Sequence, residues 1–242
     1  MIGTSNDEVN VPSESFARAD LDAMRVKPLK MSLSIVGPDV WLLQRDGRQY
    51  VLKDFRGRSF LLRITWGRIS VGRETRALIR LAGVVGVPRM VAQIDPFAFI
   101  MEFMEGETLP RRSQRGLLGP DFFPALEELI AQLHARGVAH GDLRRRNILI
   151  TADKQPVLLD FETAVLKSDS WVGHHFFDMM TRVDKLKVLK MKHKYFSRET
   201  SEEDIARLEN PPWHLEAGRF LRRNVYGKLK RRRRGGSDPK RH

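Results

Sequence analysis

Residues 140–150, HGDLRRRNILI, place an acid, Asp142, and an amide, Asn147, five positions apart in front of an apolar run. A second apolar run, PVLLDF, contains Asp160, and only the polar stretch ADKQ separates the two runs. Two short apolar runs joined by a polar turn predict a β-hairpin, here with its turn near residues 152–155. Three side chains with oxygen ligands are therefore expected near the open end of one hairpin.

The position of the turn determines which residues of the hairpin face each other. If the turn is centred on residues 152–155, Asn147 lies directly opposite Asp160, with side chains about 5 Å apart. An amide oxygen and a carboxylate at that separation suit Mg²⁺, which leaves its other positions to water and phosphates. Asp142, in the loop before the first strand, is placed to accept a proton from a hydroxyl nucleophile. Each residue alone fits a structural role, whereas the combination predicts phosphoryl transfer.

This pattern resembles the catalytic loop of the protein-kinase-like superfamily, in which H-x-D is followed by four residues and N, then by an apolar strand ending in D-F-G. The corresponding residues here are His140-Gly141-Asp142, Asn147 and Asp160-Phe161-Glu162. The resemblance implies that Asp142 is the catalytic base, that Asn147 and Asp160 hold the metal ion, and that His140 braces the loop. It also implies ATP as the phosphate donor, with Mg²⁺ or Mn²⁺.

Three further residues match this superfamily. Lys53, in VLKDF on the third predicted strand, corresponds to the lysine that contacts the ATP phosphates. Glu74 shares the inward face of the next predicted helix and corresponds to its partner, and a buried lysine needs such a counter-ion to stay charged. Arg144 occupies the position where protein kinases have a phosphate-contacting lysine, which makes it a further catalytic candidate.

The segment IMEFMEGETL resembles the connection between the two kinase lobes. The resemblance implies that backbone groups at Glu102 and Met104 bind adenine, and that Met101 closes the back of the pocket. The glycine-rich loop is reduced to Gly37, the one glycine between the first two predicted strands, which is expected to lie near the phosphates.

Other departures narrow the resemblance. Glu162 replaces the glycine of D-F-G, so this turn is expected to flip less easily. No A-P-E segment follows, and fewer than 85 residues remain after Asp160. Reductions of this kind are similar to those of the lipopolysaccharide-core (Kdo and heptose) kinases, the RIO kinases and the small kinase of the KEOPS complex.

The predicted fold class is α+β, a two-lobed kinase-like fold with an antiparallel β lobe containing one helix and a reduced, mainly helical second lobe. Predicted strands include residues 29–35, 40–45 and 48–55, the last two joined at Asp46-Gly47, and helices are predicted from 70, 121 and 184. Residues 200–204 resemble a capping box that opens another helix. The predicted domains are a flexible lead-in (1–27), an N lobe (28–104), a C lobe (105–221) and a basic tail (222–242).

Composition limits the function classes. The chain has 242 residues and no cysteine, which excludes disulfides and thiolate metal sites. It also lacks the roughly 18–20 residue apolar run of a membrane span, so we expect a cytoplasmic protein, with peripheral attachment to the inner membrane face as an extension. The net charge of the chain is +13. Most of it lies in residues 222–242, which contain ten basic residues and one aspartate. Such a tail attracts anionic lipid or RNA, or serves only solubility.

The leading hypothesis from the sequence is an ATP-dependent phosphotransferase with a hydroxyl acceptor. A lipopolysaccharide-type sugar ranks first as acceptor and a protein serine or threonine second, with a tRNA- or ribosome-linked role of the RIO or KEOPS kind third. A catalytically dead pseudokinase scaffold and a nucleic-acid-binding module remain as alternatives from other classes. The sequence does not decide the oligomeric state.

Overall fold

The structure is a computed structural model, and it describes residues 16–30, 37–197 and 201–209. Within them antiparallel sheets precede a mainly helical part, which is the predicted α+β kinase-like fold. The chain divides into two compact units, Met1–Val188 and Leu189–His242. The first unit contains every residue predicted to take part in chemistry, whereas the basic tail lies outside the described residues.

Five strands form the main sheet. They are β1 (Arg25–Lys30), β2 (Asp39–Arg45), β3 (Arg48–Asp54), β4 (Met90–Asp95) and β5 (Ala98–Glu102), and all neighbours pair antiparallel in the order β1-β2-β3-β5-β4. The predicted turn between β2 and β3 is confirmed, because Asp46 and Gly47 have φ of 49° and 74°. Two consecutive positive φ angles are typical of a two-residue type I′ hairpin turn.

The first strand begins before its predicted range of 29–35, and residues 31–36 lie outside the described part of the chain. A 3-10 turn (Arg18–Asp20) and helix α1 (Leu21–Met24) precede it, within the range predicted as a flexible lead-in. Local composition was a poor guide here because long-range contacts hold the segment.

Those contacts cover the outer face of the sheet. Phe16 and Leu21 are 9% and 1% exposed and pack in one core cluster with Leu43, Leu52 and Ile100. Burial of two such side chains contributes roughly 1.5–3 kcal/mol each. The opposite, inner face of the sheet contains Lys53.

A long helix begins earlier than the predicted residue 70. It starts with α2 (Phe60–Leu62), continues through a π-helical turn (Arg63–Gly67) and ends with α3 (Arg68–Arg80). The glycine, threonine and tryptophan of the π turn have low helix propensity, which hid this segment from sequence patterns. Single π turns inside helices are frequent at functional sites.

The remaining helices are α4 (Phe122–Ala135), α5 (Trp171–Tyr195) and α6 (Glu202–Glu209). Helix α4 agrees with its prediction, whereas α5 begins thirteen residues before the predicted position 184. The predicted cap of α6 is confirmed, because the Asp204 N–H donates to Ser201 Oγ at 3.2 Å. Among the described residues no helix has the length and apolar character required to span a bilayer.

Five short strands lie outside the main sheet. They are β6 (Glu107–Thr108), β7 (Val138–Ala139), β8 (Ile148–Ile150), β9 (Pro156–Leu158) and β10 (Val165–Leu166). Strands β6, β8 and β9 form one small sheet, and β7 pairs with β10. Strand β6 lies in the polar segment between β5 and helix α4.

Candidate active site

The hairpin β8–β9 has a different register from the predicted one. Ile148 pairs with Leu158, and the Leu159 N–H donates to the Asn147 carbonyl at 2.9 Å, so Asn147 faces Leu159 rather than Asp160. The prediction was wrong by one residue because the turn is a three-residue loop. The Thr151 N–H donates to the Gln155 carbonyl, and the loop ends with a residue in the left-handed conformation, as is common for such loops.

A backbone turn after β9 changes the direction of the chain at Asp160. This residue is left-handed, with φ of 71° and ψ of 72°, and a 3-10 turn (Phe161–Thr163) follows. Phe161 is fully buried, and its N–H donates to Glu74 Oε1 at 3.2 Å. A left-handed aspartate is uncommon and must be held by its surroundings. This turn, not strand pairing, determines where the Asp160 carboxylate lies.

Lys53 connects two acidic side chains from different parts of the fold. Its Nζ lies 2.7 and 2.9 Å from the two Glu74 carboxylate oxygens and 3.1 Å from Asp160 Oδ1. Strand β3 supplies the lysine, helix α3 supplies Glu74, and the turn after β9 supplies Asp160. The structure therefore brings these three predicted site residues together.

The charges in this triad depend on one another. Burial alone would lower the pKa of Lys53, but the carboxylates of Glu74 and Asp160 outweigh it and raise the pKa above its ordinary value. Burial raises the pKa of Glu74 to about 7, although the Lys53 ammonium opposes that shift. The positive charge of Lys53 lowers the pKa of Asp160 to about 2, so Asp160 is ionised at neutral pH. A cationic lysine and an anionic aspartate thus face the same space.

Asp142 and Asn147 lie in the loop before β8, and both are buried. The Asn147 amide nitrogen donates to the Asp142 carbonyl oxygen at 3.0 Å, which fixes the spacing of the two residues. Arg144 is 46% exposed and binds the Asp142 carboxylate through two nitrogens, each at 2.5 Å. The predicted base therefore has a guanidinium partner, and its main chain holds the predicted metal ligand.

His140 and Gly141 brace this loop. Burial lowers the pKa of His140, which favours a neutral ring. Its Nε2 lies 3.1 Å from the Leu159 carbonyl oxygen, so we assign the ring proton to Nε2. Gly141 has φ of 78°, and a Cβ there would lie 2.6 Å from the Thr163 carbonyl oxygen. Only glycine fits at this position, which explains H-G-D in place of H-R-D.

Asp184 on α5 is a site residue that motif reasoning missed. Its side chain is completely buried and accepts the His140 N–H at 2.6 Å and the Gly141 N–H at 3.0 Å. It thereby fixes the backbone just before Asp142. The available signal was periodicity, because Asp184 lies seven residues after Phe177 and four before Val188, both of which are buried, on the apolar stripe of the helix.

Lys30 is a second residue that motifs did not identify. It pairs with Val40, which in turn pairs with Lys53, so one row across three strands contains both lysines. Residues paired in this way project from the same face of a sheet, about 10 Å apart over two strand spacings. Lys30 also contributes to lowering the pKa of Asp160, after the larger contribution of Lys53. Its exposed ammonium adds positive charge on the side of the sheet that faces the site.

The residues predicted to bind adenine lie at the end of β5. The Glu102 N–H donates to the Arg89 carbonyl at 2.9 Å, so this donor is already used within the sheet. Met104 follows in the irregular segment before β6, half-buried, and Met101 is buried beside it. Gly37 lies two residues before β2, next to the undescribed residues 31–36. Nucleotide binding by Gly37, Glu102 and Met104 stays a prediction.

Comparison with protein families decides the relationship. Residues 44–204 match the RIO domain, which is well over half of the chain. The chain belongs to the RIO domain family. This family lies within the protein-kinase-like superfamily, so the resemblance found in the sequence is confirmed.

Three relatives illustrate the range of proteins similar to this RIO-domain chain. The RIO-type serine/threonine-protein kinase Rio2 of Methanocaldococcus jannaschii is 27% identical over 187 residues, which cover 64% of the chain and 68% of that protein. A probable bifunctional tRNA threonylcarbamoyladenosine biosynthesis protein of Methanosarcina acetivorans is 32% identical over 93 residues, covering 38% of the chain and 16% of that protein. CBL-interacting protein kinase 16 of Oryza sativa subsp. japonica is 30% identical over 112 residues, covering 43% and 25%. The chain thus matches a quarter or less of the last two relatives.

The donor set of this RIO domain fits a hard divalent ion such as Mg²⁺. The Asn147 amide nitrogen is committed to the Asp142 carbonyl, which leaves the amide oxygen as a ligand, and Asp160 is an ionised carboxylate. In the described part of the chain, no three acidic or histidine side chains form a metal-binding group by themselves. A site with two protein oxygens is adequate when phosphate oxygens complete it, as is typical for Mg²⁺.

Replacing Asp184 with alanine is expected to lower the free energy of unfolding by about 2–5 kcal/mol, because two buried N–H groups lose their acceptor. Urea denaturation measures this effect. Asp178→Ala on the same helix is the matched control, since this side chain is 49% exposed and pairs with His174 at 3.6 Å; a change within about 0.5 kcal/mol is expected there. Equal stability of the two variants would contradict a structural role for Asp184.

Proposed function

We propose that this protein is an ATP- and Mg²⁺-dependent phosphotransferase that acts on a serine or threonine hydroxyl of a protein. The observation that supports it most is the contact of Lys53 Nζ with both Glu74 and Asp160, at 2.7 and 3.1 Å. A permanently cationic lysine on a rigid strand, beside an ionised aspartate, suits the phosphates of a nucleotide and their metal ion.

The chain's own residues then have distinct roles. Lys53, held by Glu74, binds phosphate oxygens, and Asn147 and Asp160 provide oxygen ligands to the ion. A bound Mg²⁺ supplies charge neutralisation on the terminal phosphates. Asp142 orients the acceptor hydroxyl and takes its proton, after Arg144 turns from the carboxylate towards a phosphate. The buried His140 and Asp184 keep the loop fixed while this happens.

The comparisons favour the protein acceptor over the lipopolysaccharide-type sugar that ranked first from the sequence. Among the three relatives described, Rio2 is aligned over the largest share of both this chain and the relative itself, and its name is that of a serine/threonine-protein kinase. The names of other relatives refer to tRNA threonylcarbamoyladenosine biosynthesis, and a role linked to that process is the second candidate. None of the relatives named above refers to a sugar acceptor or a membrane surface, and RNA enters only through the name of the tRNA-modification proteins.

The deciding experiment is incubation with γ-labelled ATP and Mg²⁺ in three separate reactions, containing a protein pool, an RNA pool and lipid-linked sugars. We expect label in protein as phosphoserine or phosphothreonine. The Asp142→Asn variant is the control, and its transfer should be at least about 100-fold lower. Label in the sugar pool would instead support a lipopolysaccharide-type sugar as the acceptor. Binding of Mg²⁺-ATP without transfer to any pool would leave the pseudokinase scaffold as the remaining interpretation.

A further inference from the structure

A hydrogen bond connects the long helix of residues 60–80 to the turn that follows Asp160. Trp66 Nε1 donates to Glu162 Oε1 at 3.1 Å, and both side chains are partly buried. Glu162 is the residue that stands in place of the third residue of D-F-G. Trp66 lies in the π-helical turn, a stretch that motif comparison leaves without a role.

The same helix binds the same turn a second time. Glu74, eight residues after Trp66, accepts the Phe161 N–H at 3.2 Å. One bond therefore holds the backbone of Phe161 and the other holds the side chain of Glu162. Asp160 lies immediately before both, in its left-handed conformation. Two anchor points restrict rotation of the turn more than either one alone.

The local helix geometry favours the contact between Trp66 and Glu162. A π turn contains about one residue more than an α-helical turn. The side chains before the turn therefore point in a different direction, relative to those of α3, than they would in a continuous α-helix. Gly67, the last residue of the π turn, lies close to Phe55, where an added Cβ would be 3.2 Å from that ring. The helix is thus packed closely against the sheet at the point where Trp66 reaches Glu162.

We propose that Trp66 and Glu162 are positioning residues, whose hydrogen bond holds the turn after Asp160 against the helix and keeps Asp160 in contact with Lys53. The bond replaces the flexibility that a glycine would give this turn with a fixed connection. Its consequence for phosphoryl transfer rests on the proposed function. Its consequence for the turn itself does not, and the two are measured separately.

The test uses the full chain with Trp66→Phe, which keeps an aromatic ring without the N–H, and Glu162→Ala, which removes the acceptor. Glu162→Gln is the conservative variant, because its amide oxygen can accept the same bond. Trp171→Phe is the matched control, since Trp171 is 82% exposed and stacks on His175, away from the turn. The first readout is amide hydrogen exchange of the peptide containing Phe161, at a fixed interval below each variant's own Tm.

We expect about tenfold faster exchange in Trp66→Phe and in Glu162→Ala, the factor that loss of one ordinary hydrogen bond implies. The double variant should show no further increase, while Glu162→Gln and Trp171→Phe should resemble the wild type. Unchanged exchange in Trp66→Phe, or equal effects of Glu162→Gln and Glu162→Ala, would overturn the proposal.

The second readout is the half-saturating Mg²⁺ concentration for ATP binding and, where transfer occurs, for kcat. Both half-saturating Mg²⁺ concentrations are expected to rise about tenfold in Trp66→Phe and in Glu162→Ala. If Trp66→Phe behaves as the wild type while both Glu162 variants lose Mg²⁺ dependence, Glu162 acts on the ion directly and the proposal fails. If the wild type transfers no phosphate, the proposed function fails, and hydrogen exchange still decides whether Trp66 and Glu162 position the turn.

Discussion

The Asp142→Asn variant is expected to bind Mg²⁺-ATP with unchanged affinity and to lose phosphoryl transfer, with kcat reduced by about 10²–10⁴-fold. Loss of a positioned general base has an effect of this order. Asparagine retains the size of the side chain and one acceptor oxygen for Arg144. It does not disturb the main-chain carbonyl that binds Asn147. Calorimetric titration measures binding, and a single-turnover assay measures transfer.

Asp169→Asn is the matched control for this variant. Asp169 is an exposed aspartate in the segment between β10 and α5, so the same chemical change there should leave both measurements unchanged. Equal turnover in Asp142→Asn and the wild type would remove Asp142 from its proposed role. A parallel loss of nucleotide binding would instead show that the substitution disturbs the loop.

The Asp160→Asn variant is expected to lose the Mg²⁺-dependent part of ATP binding. In the wild type, ATP at 100 times its Kd should stabilise the fold by about 2.7 kcal/mol when Mg²⁺ is present. Most of this stabilisation should disappear when the carboxylate ligand is replaced by an amide. Asparagine is the appropriate replacement because it tolerates the left-handed backbone at this position better than alanine does. Thermal unfolding with and without Mg²⁺ is the measurement.

The protonation of Asp160 gives this prediction a pH range. Lys53 lowers the pKa of Asp160 to about 2, whereas an unfolded aspartate titrates near 4. Because the folded pKa is the lower one, its contribution to stability is complete above about pH 4 and is lost as the pH falls towards 2. Asp160 itself should therefore stay ionised at pH 5, whereas Glu74, with a pKa of about 7, takes up a proton between pH 7 and 5. Loss of the shift between pH 7 and 5 in a Glu74→Gln variant, in which that titration is absent, would contradict an ionised, Lys53-paired Asp160.

The sequence was sufficient to select the candidate site residues whose spacing is local, and the structure brings several of them into contact. Asp142, Asn147 and Asp160 lie within nineteen consecutive residues, and Lys53 and Glu74 follow from a strand and helix of ordinary pattern. The geometry that joins them was less predictable. A left-handed residue in the hairpin loop, Lys154 with φ of 62°, moved the register by one residue, and no composition signal indicates that choice.

Other features depend on contacts between distant parts of the chain. Asp184 binds the backbone of His140 and Gly141 from 44 and 43 residues away, and Arg18 binds Asp54 and Asp95 from 36 and 77 residues away. Such pairs have no local pattern in one sequence. The early start of the long helix was hidden for a different reason, because the threonine, tryptophan and glycine of its π turn have low helix propensity.

The short segment that contains Phe16 and Leu21 has a consequence for the behaviour of shortened chains. With residues 16–24 removed, Leu43, Leu52 and Ile100 would meet water on three adjacent strands. A broad exposed apolar surface of this kind promotes aggregation of the protein. A truncated version that begins at Arg25 should therefore precipitate during purification, even though all the residues predicted to bind ATP or the metal ion are still present.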